Sequence, residues 1–239
     1  MSNVLDISHW QTISSMADIK AGGIAAVIIK CTQGTTYVDP TFKQRYADAI
    51  KAGLPVSTYH YLDAGKDVAQ QMAFYLKKLN PRQGERVCID FEDEGSTLSD
   101  LKNAVQYILS ARPDLQITVY SGHLIKDVLG GKRDALLADN TSLWIAHYTT
   151  AQSPTWPTAT WPGWALWQYT DKGKAKGIEG NVDTNRFNGS DANIAKWIGP
   201  AAAMLPVQLD DEEKMVNVVI SAPVGVAISV TVNGTMLVE

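Results

Sequence analysis

The sequence predicts an α/β protein: a (β/α) TIM-like barrel of about eight strands and five to six helices. Its last strands lack helices, and a small C-terminal β appendage follows. Three observations carry this reading. Short apolar runs alternate with amphipathic helical stretches through the first half of the chain, which calls for a parallel sheet covered by crossover helices. About eight such runs are enough to close the sheet on itself. Past residue 200 the rhythm changes, and residues 224–232 show a plain period-two alternation of apolar and small residues.

Taken in order, strands are expected at 4–5, 26–29, 56–59, 87–91 and 117–120. The second helix is the best marked. Asp39 is its expected N-cap, Pro40 its first residue, and Gly53 with Pro55 its end, while Phe42, Tyr46, Ala49 and Ile50 form its apolar face. The third helix carries Val68, Met72, Leu76 and Leu79 and stops before Pro81. A Ser99 cap opens the fourth, which carries Leu101, Val105, Ile108 and Leu109 and stops before Pro113. The fifth covers 124–129, breaks at Gly130-Gly131 and partly resumes at 134–138. Strands at 143–146 and 164–169 are joined by a Pro/Thr/Trp-rich loop rather than a helix. A last strand lies around Val182-Asp183, and a helix over 191–198 closes the domain. The expected organisation is a barrel domain over 1–199, a linker over 200–214, and a β appendage over 215–239 with a turn at Asn233-Gly234.

Hydrophobic residues make up 45% of the 239 and charged residues 19%, which excludes a disordered chain. The net charge of −4 and the lack of a basic patch argue against a nucleic-acid partner. No apolar stretch is long enough for a membrane span. The start, Met-Ser-Asn-Val-Leu-Asp, lacks the basic and apolar regions of a signal peptide. The expectation is a chain made in the cytoplasm, which must be released if its substrate lies outside. Cys31 and Cys88 fit no metal-ligand spacing and read as two buried thiols.

A parallel barrel collects its active site where strands end and loops begin. Reading the polar residues at those ends gives Asp6, Lys30, Tyr59, His60, Tyr61, Asp90, Glu92, Tyr120, Trp144, Tyr148, Gln168 and Asp183. Side chains alternate across a strand, so Cys88, Asp90 and Glu92 share the face opposite Val87, Ile89 and Phe91. Asp90 and Glu92 are then roughly 6.6 Å apart along the backbone. Their mutual repulsion, with Asp6 and Asp183 nearby, is expected to raise at least one pKa, as a general acid near neutral pH requires. Paired carboxylates are also the chemistry of glycoside hydrolysis. Other readings stay open at this point. The cluster could hold a divalent cation, Lys30 could simply balance charge, and Asp93, Glu94 and Ser96 could cap the next helix. The histidines at 9, 60, 123 and 147 read as hydrogen-bonding wall residues. Trp10, Trp144, Trp156, Trp161, Trp164 and Trp167 suit a glycan-lined cleft, with core packing as the alternative.

The ordered set Asp6-Ile-Ser-His-Trp-Gln11, Ile29-Lys30-Cys-Thr-Gln-Gly34, Tyr59-His60-Tyr61, Ile89-Asp90-Phe91-Glu92, Leu143-Trp-Ile-Ala146, Trp167-Gln-Tyr169 and Val182-Asp183 resembles the family 25 glycoside hydrolases, the barrel-type lysozymes. The resemblance covers roughly residues 3–198. It implies hydrolysis of the β-1,4 bond between N-acetylmuramic acid and N-acetylglucosamine in peptidoglycan, with no metal or cofactor, as in phage endolysins. Carried over by motif, Glu92 is the proton donor and Asp90 orients the substrate 2-acetamido group. Asp6 and Asp183 tune pKa values and hold the sugar, and Lys30, Tyr59, Tyr120 and Gln168 line the wall. Gln33 departs from the family's Lys-x-Thr-Glu-Gly pattern. Residues 215–239 hold no Trp, Tyr or Phe, so they read as a self-association or docking element rather than a sugar-binding module. The competing readings are a chitinase-like barrel, whose Asp-x-x-Asp-x-Asp-x-Glu run is absent, and a catalytically inactive glycan-binding barrel, against which the four carboxylates and Lys30 speak.

Overall fold

The computed structural model describes residues 2–198, 230–232 and 235–238. Its elements run β1 (Ser2–Ile7), β2 (Thr12–Ile13), α1 (Met16–Ala21), β3 (Ala26–Gln33), β4 (Tyr37–Val38), α2 (Phe42–Lys51), β5 (Val56–Tyr61), α3 (Val68–Leu79), β6 (Arg86–Asp90), α4 (Leu98–Ala111), β7 (Gln116–Ser121), α5 (His123–Leu129) and α6 (Ala135–Asn140). They continue with β8 (Thr141–Ala146), β9 (Leu166–Gly173), β10 (Ile178–Glu179), β11 (Val182–Phe187), α7 (Asp191–Ile198), β12 (Val230–Val232) and β13 (Thr235–Val238). Strands β1, β3, β5, β6, β7, β8, β9 and β11 form a closed eight-stranded barrel, because β11 and β3 both pair with β1. Strand β4 adds to the far end of β3, and β2 pairs with β10 outside the barrel.

The wall follows the period-two rule. Leu5, Val27, Ile29, Val87 and Ile89 face outward into the core under the helices. Val4, Ala26, Ile28, Cys88, Leu166 and Phe187 face inward and meet Ile194 and Ile198 of α7, which closes one end of the barrel. At that end the buried Arg86 donates through Nε to the Trp197 carbonyl at 2.5 Å, and through Nη1 to Thr118 and Ser142 hydroxyls at 3.0 Å. Its guanidinium also lies 4.0 Å from the Trp197 ring centroid.

Several expectations change. The sheet is not wholly parallel: β11 runs antiparallel to both β9 and β1. A parallel return needs a crossover of a dozen or more residues, and the link from Gly173 to Val182 is too short to supply one. Asp183 therefore opens its strand instead of ending it, and reaches the barrel mouth opposite Asp6 in register. Seven helices stand among the described residues, since the stretch around 124–140 is two helices, α5 and α6, flanking the glycine pair. Helix α2 starts at Phe42. Asp39 instead caps the turn before it, its Oδ1 accepting from the Thr41 amide at 2.9 Å and hydroxyl at 2.6 Å. Helix α4 is capped by Thr97, not Ser99. Asp100 lies three residues after Thr97 and returns the hydrogen bond, whereas the residue three after Ser99 is Lys102, which cannot accept one. Strand β9 begins at Leu166, two residues later than expected.

Chain contacts divide the molecule into Met1–Leu205 and Pro206–Glu239. In the second unit β12 and β13 form an antiparallel pair. The expected linker over 200–214, most of the expected appendage and its Asn233-Gly234 turn lie outside the described residues. Among the described residues, no helix is long and apolar enough to cross a membrane.

Candidate active site

The open end of the barrel holds a cavity of about 220 Å³ lined by Asp6, Tyr59, Asp90, Glu92, Tyr120, Trp144, Tyr148, Gln168 and Asp183. The strands deliver these side chains by alternation. Asp6 follows the inward Val4 on β1, Asp90 follows Cys88 on β6, and the Phe91 amide extends the ladder to the Tyr120 carbonyl at 2.9 Å. Glu92 is thereby swung back to the inner side, just past the end of β6. Tyr148 comes from the helix-free loop after β8. Of the residues singled out as catalytic or substrate-binding, only Lys30 stands off the lining. Its ammonium donates to Gln33 Oε1 at 2.7 Å and lies 5.0 Å from the Tyr61 ring centroid. Gln33 in turn donates to Asp63 at 2.9 Å, a bond that a glutamate at this position could not make without like-charge repulsion.

One polar network spans the floor. The hydroxyls of Tyr120 and Tyr148 donate to Gln168 Oε1 at 2.8 and 2.9 Å, which directs the Gln168 amide nitrogen toward both oxygens of Asp6 at 3.2 and 3.1 Å. Asn185 donates to Asp6 Oδ2 at 2.7 Å and accepts from the Trp144 indole at 2.7 Å. Asp90 differs. It is 5% exposed, and its Oδ1 has no hydrogen-bond partner. A buried carboxyl oxygen without a partner costs stability.

All four carboxyls titrate above the usual range. Burial, then the neighbouring Asp183, pushes Asp6 up to about 7 against the hydrogen bonds from Asn185 and Gln168. Burial, followed by Asp171, pushes Asp183 up to about 6. Asp90 is raised well above its ordinary value by burial and then by Glu92, with Lys30 opposing. Glu92 is solvent-accessible, yet the surrounding walls exclude enough water to raise it, helped by Asp183 and opposed by Lys30. Mutual repulsion was the expected cause of such shifts. It contributes, but loss of water is the larger one. Asp6 and Asp183 titrate as a pair rather than singly.

The other aromatic and titratable expectations divide. Trp161, Trp164 and Trp167 are packed into the core, and the indoles of Trp161 and Trp167 are spent on Thr141 and the His147 carbonyl. The partly buried Trp156 donates to the Trp161 carbonyl, so none of these four offers a free face to a sugar in the cavity. Only Trp10 is strongly exposed, at 80%. His60 is not a wall residue but is buried, between Thr32 and Gln71. Cys31 and Cys88 are free buried thiols, on opposite faces of the wall. Asn185 escaped the sequence reading, although it lies two residues beyond Asp183 on the same face of β11.

The model for glycosyl hydrolases family 25 matches residues 5–178, a stretch that holds Asp6, Asp90, Glu92 and Gln168 and stops short of Asp183. Lysozyme M1 of Streptomyces globisporus is 28% identical over 205 residues, spanning 80% of this chain and 69% of that protein. Among solved structures, the bacterial lysozyme from Streptomyces coelicolor superposes with a TM-score of 0.74 at 24% identity, over 81% of this chain and 95% of its own. A family GH25 lysozyme from Aspergillus fumigatus superposes at 0.70 and 26% identity, over 83% and 99%.

Proposed function

The chain belongs to glycosyl hydrolases family 25, and from that premise we propose that it cleaves the β-1,4 bond between N-acetylmuramic acid and N-acetylglucosamine in bacterial peptidoglycan, with Glu92 as the proton donor. The observation that carries this reading is the contrast between two adjacent carboxyls in one cavity. Glu92 is open to solvent and titrates high, as an acid that meets a leaving oxygen must. Asp90 is enclosed and keeps one oxygen unpartnered.

The substrate's 2-acetamido N–H is a donor that the Asp90 carboxyl, part of the cavity lining, takes. Binding it turns the acetamido carbonyl oxygen toward the anomeric carbon as the bond to the leaving oxygen breaks. In that route the substrate supplies its own nucleophile and no protein carboxylate bonds to the sugar, so carboxylate separation does not dictate the stereochemistry. Glu92 gives its proton to the departing oxygen and then takes one from the water that completes hydrolysis. Asp6, held by Gln168 and Asn185, keeps a proton near the sugar beside Asp183, and Tyr120 and Tyr148 fix Gln168. The protein would act on the wall after release from the cell that makes it, with residues 215–239 serving self-association or docking.

The test is to incubate the full chain with purified peptidoglycan, reduce the products, and identify the sugar at each new reducing end. Muramic acid ends are expected. Ends on N-acetylglucosamine, or no ends while the protein still binds the wall, would overturn the assignment.

A further inference from the structure

Trp10 poses a physical question: it is 80% exposed, on a loop that is otherwise firmly built. An indole left in water forgoes about 1.5–3 kcal/mol that burial of a large apolar side chain provides. The loop itself is closed by hydrogen bonds from the Ser8 amide to Gln11 Oε1 at 2.8 Å and from the Gln11 amide to the Ser8 carbonyl at 3.2 Å. The Arg45 guanidinium clamps the carbonyls of Ser8 and Gln11 from below. Asp39, 2% exposed, accepts from the His9 amide at 2.8 Å and pins the His9 ring through Nδ1 at 3.0 Å.

That ring lies against Trp10, with centroids 4.4 Å apart and planes tilted by 37°, and the Tyr37 ring packs edge-on to His9 at 6.2 Å. One face of the indole is thus supported while the side chain stays open to solvent. The patch sits at the barrel mouth, four residues beyond Asp6. Lys30, whose ammonium lies 5.8 Å from the Tyr37 ring, is close enough to the cavity to feel the charges of Asp90 and Glu92.

We propose that Trp10, backed by His9 and Tyr37, is a stacking platform for a pyranose ring of the same glycan strand, outside the pair of rings that flank the cleaved bond. This rests on the glycan-cleaving reading above and adds a preference for long strands. A rigid, pre-formed aromatic face loses little freedom on binding and suits the C–H faces of a sugar. A stem-peptide carboxylate fits less well, because the exposed group of the patch is an apolar indole rather than a cation.

The experiment compares wild type, Trp10→Ala and Trp10→Phe on long glycan strands, with and without stem peptides, and on a tetrasaccharide. For Trp10→Ala the ratio of kcat/KM on long strands to that on the tetrasaccharide is expected to fall about three- to tenfold. The loss should appear through KM, with peptides present or absent, and Trp10→Phe should restore most of it. In a Glu92→Gln background, Trp10→Ala should weaken strand binding by a similar factor. This arm reads the platform even if no bond is cleaved, so it separates failure of the platform from failure of the glycosidase assignment. An unchanged ratio and unchanged binding would overturn the proposal. So would a loss seen only on peptide-bearing strands, or a Trp10→Phe variant no better than Trp10→Ala.

Discussion

The two ends of the barrel interior bury charge in opposite ways. At the closed end Arg86 is buried, but its guanidinium meets the Trp197 carbonyl, two hydroxyls and an aromatic face. At the open end four acidic side chains crowd one cavity, each with its pKa raised, and one buried oxygen has no partner. The same alternation of side chains builds both ends. The difference is satisfaction: α7 covers and completes the first, while the second is left incomplete for a ligand to finish. Buried charge is therefore satisfied by the chain itself at the α7 end, and chemical readiness is concentrated at the mouth.

Changes at the mouth should break activity without breaking the fold, and after Glu92 the largest effect belongs to Asp90. Asp90→Asn is expected to lower kcat about a hundredfold, the scale for losing one pre-positioned polar contact to a reacting group. Its Tm should hold or rise, because a buried unpartnered carboxyl has been removed; a lower Tm would show that Asp90 is structural. The closed end should respond in reverse. Arg86→Met leaves the Trp197 carbonyl and the buried Thr118 hydroxyl short of a donor. It should cost about 1–3 kcal/mol in denaturant unfolding, with kcat per folded molecule retained.

The pH dependence sharpens the contrast. Asp6 sits near 7 in the folded chain against an ordinary 3.8, so between roughly pH 4 and 7 the folded state holds a proton that the unfolded state has lost. Below that window the group costs nothing. As pH rises through it, stability falls by at most about 1.4 kcal/mol per pH unit. Surface carboxylates such as Asp114 are shifted down by partners such as Arg112 and act in the opposite direction. The readout is therefore the difference in unfolding free energy between wild type and Asp6→Asn across pH 4–7. That difference should slope against wild type as pH rises; a flat difference would remove Asp6 from the raised group. The smallest effect is expected at the rim. Tyr148→Phe leaves Gln168 with the Tyr120 hydroxyl and should lower kcat/KM by less than tenfold.

Much of this was readable in the residues. Helix and strand periods differ, so the alternation that built the barrel is written in the chain, and polar residues at strand ends named all of the cavity lining. Strand direction is not a property of a strand's own residues, which is why β11 was expected to be parallel. The short link before it was the available signal. Two-residue strands such as β2 and β4 have no period to detect. Tryptophans near loops look alike in sequence, and only packing separates the exposed Trp10 from the buried Trp161 and Trp164. Asn185 was within reach, since the alternation that placed Asp183 inward places it inward as well.

The most direct measurement is the rate at which wild type and Glu92→Gln release muramic acid reducing ends from peptidoglycan, with Tm and wall binding recorded for both. Wild type should release them, and the variant should be slower by about a hundredfold or more at equal Tm and binding. A Glu92→Gln variant as fast as wild type would contradict the role given to Glu92.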